Sequence, residues 1–342
     1  MGYRAEKLNV ERKEKLLKRI LLCILLACLL GLCIFSAFVP PSSWKYRVSL
    51  PNVSKRMDGE LRIHFLDVGQ GDATLIELPD GKVVLIDGGD GSGAAKRTLI
   101  RYINALKIKK IDHLIVTHAD RDHCGGLQTL LQQKKVRNAY LPPKFSMSET
   151  AYAKFYATLL KTDTIRNYSS RSLGNLGQAT IETEYAYNFC FLYPDSMLVD
   201  GVINGETEII EDNEMSSVVW LEYQGVSAVF MGDAPADIET RLMTEDELGV
   251  FSSLGVRLTD TDVIKVSHHG SGSSTTAEFL KYIGAKDGII SCGVDNTYGH
   301  PAAETLERLA AAGVNVHRTD TEGTVMITIT TDGKYTIEKS GK

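Results

Sequence analysis

Several features that define other protein classes are scarce in this chain of 342 residues. It has only 9 Pro beside 30 Gly, with no internal repeats and no low-complexity tracts, which excludes a disordered, collagen-like or coiled-coil protein. Three of its six Cys lie in one apolar run, and the other three are the widely spaced Cys124, Cys190 and Cys292. This distribution predicts neither a disulfide framework nor a C-x-x-C zinc site, although it leaves a single bridge open.

An excess of positive charge is also missing outside the N-terminus. Residues 1–19 contain seven basic and three acidic side chains, so the rest of a chain with net charge −5 carries −9. A body this acidic lacks the overall field of a protein that binds nucleic acid non-specifically. Any surface that holds phosphate groups must therefore be local.

One long apolar segment, residues 20–39, carries no charged side chain. As a helix it would be about 30 Å long, which is the thickness of the hydrocarbon core of a membrane. The basic flank that ends at Arg19 predicts a cytoplasmic N-terminus and a single-pass protein of the cell membrane. A cleaved signal peptide is the alternative, but no A-x-A-like site precedes Pro40. The predicted organisation is a basic cytoplasmic tail (1–19), a transmembrane signal anchor (20–39), a linker (40–60) and an extracytoplasmic domain (61–342).

The extracytoplasmic part alternates short apolar strands with segments of helical spacing. This order predicts an α/β protein in which two sheets are sandwiched by helices. We predict strands at 61–68, 73–78, 82–86, 111–117, 181–192, 218–223, 226–231, 263–266, 288–291 and 325–329, and helices at 97–106, 127–133, 236–243, 277–283 and 302–312.

Five of the eight histidines fall into three tight groups at predicted strand ends. In the richest group, four candidate ligands occupy residues 118–123, directly after a buried strand. Imidazole and carboxylate groups together suit zinc or manganese, with carboxylates favouring the harder ion. We therefore interpret this segment as a metal-binding loop and not as a polar loop with a capping Asp.

The order H-x-D-x-D-H-x-G-G at residues 118–126 resembles the signature loop of the metallo-β-lactamase superfamily, with Asp120 in place of the usual second histidine. Together with LDVGQGDA at 66–73, this substitution is similar to the C-terminal metallo-β-lactamase-like domain of ComEC-type competence proteins. The resemblance implies an αββα four-layer sandwich, here preceded by one transmembrane helix. Three further segments agree with it: FMGD at 230–233, KVSHHGS at 265–271 and YGHP at 298–301.

The resemblance also implies two divalent metal ions, Zn²⁺ or Mn²⁺. Asp233 would bridge them. Either His268 or His269 would complete the coordination of the ion that Asp122 and His123 hold. The superfamily usually has one more histidine before the bridging Asp, but residues 124–232 contain none, so the other ion lacks an assigned third ligand. The implied metal ligands are His118, Asp120, Asp122, His123, Asp233, His268 and His269.

Three side chains are candidates for catalysis. Asp120 or Asp122 would take the proton of the attacking water, and His300 would protonate the leaving group or contact a substrate oxyanion. Simpler interpretations stay open: Asp233 as a helix N-cap, His268 and His269 as ordinary strand-end residues, and His300 as a structural residue. Candidates for substrate contact or for orienting the ligands are Gln70, Asp72, Asp87, Asn213, Ser216 and Ser271.

The function that these features predict is that of a membrane-anchored, metal-dependent hydrolase, in particular a phosphodiesterase or nuclease. The resemblance implies DNA as its substrate, with degradation of one strand during uptake. A single span cannot form a DNA channel, so a separate channel protein is an expected partner, beside the lipid bilayer around 20–39. The alternatives are an envelope phosphodiesterase similar to phosphorylcholine esterases and a non-catalytic, metal-stabilised binding module for such a channel. A lactonase or β-lactamase fits less well, given Asp120 and the missing histidine.

Overall fold

The chain forms two compact units, Met1–Ser49 and Leu50–Lys342. In the computed structural model, the first unit consists of helices α1 (Gly2–Phe38) and α2 (Pro41–Trp44). Within α1, the stretch Arg12–Phe38 is long and apolar enough to cross a membrane. The predicted apolar helix is therefore present, but it continues from a helix that begins at Gly2. The structure describes residues 2–143, 150–176, 185–209 and 211–341.

The second unit is built on two β-sheets. Its strands are β1 (Leu61–Phe65), β2 (Thr74–Glu77), β3 (Val83–Ile86), β4 (Lys110–Ile115), β5 (Lys135–Leu141), β6 (Ile165–Tyr168), β7 (Tyr187–Tyr193), β8 (Val218–Tyr223), β9 (Val226–Phe230), β10 (Val263–Lys265), β11 (Asp287–Ile290), β12 (Asn315–Arg318), β13 (Val325–Ile329) and β14 (Tyr335–Lys339). The first sheet has the order β14-β13-β1-β2-β3-β4-β5-β6, and the second has the order β12-β11-β10-β9-β8-β7. Pairing is parallel from β3 to β6 and from β9 to β12.

Helices cover the outer faces of both sheets, which gives the αββα order of layers and confirms the predicted fold class. The two inner faces pack on each other through alternating apolar residues such as Phe65 and Phe230, whose rings stack. The helices of this unit are α3 (Gly93–Ala105), α4 (Arg121–Cys124), α5 (Leu127–Gln133), α6 (Thr150–Leu159), α7 (Ser196–Ile203), α8 (Ala236–Glu247), α9 (Ala277–Ile283), α10 (Ala303–Ala311) and α11 (Thr319–Glu322).

Four strands, β5, β6, β12 and β14, were not predicted from the sequence. β6 and β14 lie at the two edges of the first sheet, and most of their side chains are exposed or half-buried. A strand of this kind shows little of the apolar alternation on which prediction depends. The strand predicted at 181–192 is observed as β7, whereas residues 181–184 lie outside the described residues.

His113 on β4 gives the domain a pH-dependent stability. Its Nδ1 lies 3.0 Å from the hydroxyl of Tyr140, and burial lowers the pKa of the imidazole to about 4. The unfolded chain binds a proton at this residue below its ordinary pKa of 6.5. The stability that comes from the neutral ring is therefore complete above pH 6.5 and is lost as the pH falls towards 4.

We expect the free energy of unfolding to fall by about 3 kcal/mol over this range through His113 alone. Urea unfolding at several pH values should show this fall in the Tyr140→Phe variant and a smaller one in His113→Leu/Tyr140→Phe. Equal pH slopes in the two variants would contradict the assignment.

Candidate metal centre

Polar side chains converge where several parallel strands end. Asp87 follows β3, His118 follows β4, Asp233 follows β9, and His268 and His269 follow β10. The carboxyl ends of parallel strands lie at one edge of a sheet, and the two sheets bring their edges together here. This is why residues far apart in sequence share one site.

One close group consists of Asp122, His123, Asp233 and His269. The Nε2 atom of His269 lies 3.2 Å from Asp122 Oδ2 and 3.3 Å from His123 Nε2. Asp233 closes the group, with Oδ1 3.2 Å from His123 Nε2 and Oδ2 3.5 Å from His269 Nε2. Both imidazoles and Asp233 are buried. Ligand atoms of Asp122, His123 and Asp233 thus all lie within 3.5 Å of His269 Nε2.

A second group shares Asp233 with the first. His118 Nε2 lies 3.6 Å from Asp120 Oδ2 and 3.9 Å from Asp233 Oδ2. His118 is fully buried, whereas the side chain of Asp120 is 43% exposed and faces solvent. The structure thus places these three predicted ligands together, on the other side of the shared carboxylate.

The fold fixes the tautomers of His123 and His269. His123 Nδ1 lies 2.8 Å from Asp87 Oδ2, and His269 Nδ1 lies 2.9 Å from the carbonyl oxygen of Ser291. A carboxylate and a carbonyl only accept hydrogen bonds, so each Nδ1 is the donor. The Nε2 atom of each ring is therefore the one that faces the site, as in histidines that bind metals.

Thr117 does the same for His118. Its hydroxyl donates to Asp87 Oδ2 at 2.7 Å, and its backbone N–H donates to Asp87 Oδ1 at 2.9 Å. With its proton used, the hydroxyl oxygen accepts from His118 Nδ1, which lies 3.0 Å away. Thr117 was not predicted as a site residue, and only its position beside His118 at a strand end could have indicated it.

The electrostatics of the site follow from its buried carboxylates. Burial by itself lowers the pKa of His123, but the carboxylates of Asp233 and Asp87 outweigh it and hold that pKa well above 6.5. Burial also opposes the charge of His269, yet Asp233 and Asp72 raise its pKa to about 10. Without a metal, protons on these rings balance the carboxylates, so a divalent cation would compete with protons for the site.

The pKa values of the carboxylates shift in the opposite direction. Burial raises the pKa of Asp233, but His123 and His269 hold it well below its usual value. Burial also raises the pKa of Asp122, and its hydrogen bond to His269 and the charges of His123 and His269 more than reverse that effect. Both groups are thus ionised at neutral pH, as metal ligands must be.

The two consecutive histidines after β10 diverge because the backbone of both is left-handed, with φ of 48° at His268 and 54° at His269. Their rings stand 70° apart, which sends His269 into the buried group. His268 Nε2 lies 3.7 Å from Asp233 Oδ2 at the half-buried mouth of the site. Burial and the neighbouring His269 keep the pKa of His268 low, despite the carboxylate of Asp233. Conformations of this kind in non-glycine residues concentrate at functional sites.

His300 lies at the rim of the site, with its ring centroid 5.5 Å from that of His268 and 6.1 Å from that of His269. Burial and the charge of His269 lower its pKa. Asn296 holds this loop, since its side chain bonds both the backbone N–H and the carbonyl of His300. The exposed ring of Tyr298 stacks on His300, with centroids 5.8 Å apart.

The remaining predicted residues surround these groups. Gln70 accepts a bond from the N–H of Gly293, Ser216 accepts one from the N–H of Asp233, and Ser271 bonds Ser273 at the exposed rim. Asn213 lies one turn before Ser216, with a buried side-chain oxygen that has no hydrogen-bond partner among the described residues. Ser216 occupies the segment where a further histidine would be expected. Position 232 requires glycine, because a Cβ there (φ +54°) would lie 2.4 Å from the hydroxyl of Ser216.

Two observations show that the donor set fits divalent metal ions. Within the described part of the chain, the buried atoms His118 Nε2 and Asp233 Oδ1 lack a hydrogen-bond partner. Asp72, His123, Asp233 and His269 also present ligand atoms within 4.8 Å of one another. Buried polar atoms left in this way are costly unless something binds them, and nitrogen with carboxylate oxygen is the donor set of zinc and manganese.

Comparison with known proteins identifies the class. The Metallo-beta-lactamase superfamily matches residues 66–294, so this chain belongs to that superfamily, whose members are generally metal-dependent hydrolases. It is also 28% identical over 284 residues to "ComE operon protein 3" of Bacillus subtilis, which covers 79% of this chain and 33% of the relative. "Competence protein ComA" of Neisseria gonorrhoeae is 25% identical over 266 residues, covering 78% and 32%.

These relatives are ComEC-type competence proteins, which confirms the resemblance seen in the motifs. The chain spans about a third of the length of the curated relatives that it matches. Among solved structures, the metallo-beta-lactamase fold protein YhfI of Bacillus subtilis aligns with a TM-score of 0.47 at 12% identity, over 82% of this chain and 100% of that one.

Proposed function

We propose that this protein is a membrane-anchored, metal-dependent phosphodiesterase that hydrolyses DNA outside the membrane. The observation that supports it most directly is the convergence of three imidazole Nε2 atoms on the carboxylate of Asp233. Each of these rings uses its Nδ1 to bond the surrounding fold, so Nε2 is free for a cation. The three histidines are His118, His123 and His269.

The geometry supports a specific assignment of ligands for two ions, Zn²⁺ or Mn²⁺. His269 is assigned in preference to His268, because its Nε2 is the one that reaches both Asp122 and His123. The second position has fewer ligands, because residues 124–232 contain no further histidine. One ion would be held by Asp122, His123, Asp233 and His269, and the other by His118, Asp120 and Asp233.

Cations held there would lower the pKa of water and offset negative charge on the phosphate. Asp120, exposed at the mouth of the site, would accept the proton of the attacking water. His300 has a lowered pKa and is neutral at neutral pH, which favours a hydrogen bond to a substrate oxygen over protonation of the leaving group. The exposed ring of Tyr298 beside it offers a face on which a nucleobase could stack.

The cellular setting is inferred from α1 and from the relatives. The basic side chains before residue 20 favour a cytoplasmic N-terminus, and the catalytic domain would then lie outside the membrane. The competence proteins that this chain resembles support DNA as the substrate and a DNA-uptake channel protein as the partner. The net charge of −9 outside the N-terminus requires that phosphate contacts come from the site itself.

The full chain in detergent, loaded with Mn²⁺ or Zn²⁺, tests this proposal. We expect hydrolysis of single- or double-stranded DNA that EDTA removes and added metal restores. If the protein cleaves a phosphocholine ester and bis-p-nitrophenyl phosphate but not DNA, its substrate is a phosphodiester of the cell envelope and not DNA. Near-stoichiometric metal with no hydrolysis of any phosphodiester would instead indicate a non-catalytic binding module.

A further inference from the structure

A buried ion pair lies behind His269, on the side of the ring that faces away from Asp122. Lys265 Nζ lies 2.6 Å from Asp72 Oδ2, and the side chains are only 2% and 6% exposed. Asp72 belongs to the loop after β1 in the first sheet, whereas Lys265 ends β10 in the second. The pair therefore ties the two sheets together at the edge where the site is formed.

Asp72 contacts the proposed metal ligands in two ways. Its Oδ1 lies 3.3 Å from His269 Nδ1, and its backbone N–H donates to the carbonyl oxygen of Asp122 at 3.1 Å. Gly71 allows this approach, because a Cβ there (φ +124°) would lie 2.2 Å from that carbonyl oxygen. One residue thus touches the side chain of His269 and the main chain of Asp122.

The geometry indicates why Asp72 acts through His269. Asp72 meets the imidazole at Nδ1, whereas Asp122, His123 and Asp233 surround Nε2. Its other oxygen is occupied by the ammonium group of Lys265. The Nδ1–H group itself donates to the carbonyl oxygen of Ser291, so the carboxylate of Asp72 acts on the ring through its charge, which makes Nε2 a stronger donor to a cation.

Lys265 gives Asp72 its counter-charge. A buried carboxylate needs a compensating partner, and the ammonium group of Lys265 contacts it at 2.6 Å, beside the imidazole of His269. Lys265 also donates to the carbonyl oxygen of Val266 at 3.0 Å, which fixes its direction. We propose that Asp72, held by Lys265, is a positioning residue that sets the affinity of the site for its metal through His269. This inference rests on the proposed metal site.

A double-variant comparison on the full chain in detergent tests this. Asp72→Asn and Lys265→Met each leave one buried charge unpaired, so each should lower the melting temperature by about 5–10 °C. Asp72→Asn/Lys265→Met removes both charges and should recover most of that loss. Its affinity for Mn²⁺, measured by titration calorimetry, should nevertheless stay 10- to 100-fold below that of the unmodified protein, at unchanged stoichiometry.

A second Asp–Lys ion pair, whose lysine side chain is 62% exposed, provides the control. Lys286 Nζ lies 2.6 Å from Asp262 Oδ1 at the opposite end of β10, so Asp262→Asn/Lys286→Met should leave Mn²⁺ affinity unchanged. If the Asp72/Lys265 double variant binds Mn²⁺ as tightly as the unmodified protein does, the pair is merely structural. A loss of one bound ion would make Asp72 a ligand, and either result overturns the inference. Failure of the unmodified protein to bind either Mn²⁺ or Zn²⁺ would instead refute the proposed function.

Discussion

Asp122→Ala and His123→Ala should each abolish phosphodiester hydrolysis, lowering kcat/KM by about 10³-fold or more. Each variant removes a ligand atom from the buried group around Asp233 and His269. The lost charge stabilisation of the transition state is several kcal/mol, which accounts for an effect of this size. Rates on DNA with Mn²⁺, together with the metal content of the purified variants, provide the measurement.

Suitable controls are Asp237→Ala and His317→Ala. Asp237 is exposed in the first turn of α8, and His317 bonds Asp287 through its Nε2 atom at 3.0 Å, away from the site. Both controls should retain activity close to that of the unmodified protein. If Asp122→Ala or His123→Ala kept more than a tenth of the activity while remaining folded, the proposed ligand set would be wrong.

Asp87→Ala should have the largest effect on stability, because three buried donors lose their acceptor at once. Asp87 accepts bonds from the backbone and hydroxyl of Thr117 and from Nδ1 of His123, and all three residues are buried. Leaving such donors unsatisfied costs about 3–5 kcal/mol in the free energy of unfolding. We also expect metal affinity to fall by about 10–100-fold, since the ring of His123 is no longer held.

Asp87→Asn separates the two effects. Its amide oxygen keeps the acceptor for the backbone N–H of Thr117, but its NH₂ group replaces Oδ2 and then faces two donors, the hydroxyl of Thr117 and Nδ1 of His123. Stability should therefore fall less than in Asp87→Ala, while metal affinity falls to a similar degree. Urea unfolding and calorimetric titration with Mn²⁺ measure the two quantities. If Asp87→Ala were as stable as the unmodified protein, the hydrogen bonds to Asp87 would not contribute to the stability of the fold.

Much of the fold was predictable because its central strands are apolar and end at glycine-rich or charged turns. The strand before His118 and the one before Asp233 were both recognised in this way, close to their observed ends. The strands β5, β6, β12 and β14 were missed. Three of them lie at sheet edges and are exposed or half-buried, so they carry no clear alternation, whereas β5 is an inner strand that begins with mostly polar residues. Their place in the sheet depends on pairing with distant segments.

The candidate site could also be predicted only in part. The sequence showed which residue types follow which strands, and its resemblance to the ComEC-type domain implied His118, Asp122, His123 and Asp233 as one group of ligands. It left His268 and His269 as equal alternatives, because two adjacent residues share every feature of sequence position. Only the left-handed backbone at both residues, which turns their rings 70° apart, directs one ring inward.

By itself, then, the sequence determined the membrane-length apolar helix, the superfamily and the set of groups able to bind metal. These depend on composition and on local order along the chain. The tertiary structure alone decided which nitrogen of each imidazole faces the site, and that Asp72 meets Lys265 behind His269. Contacts of this kind join residues from different sheets, and the packing of one sheet on the other sets their distances.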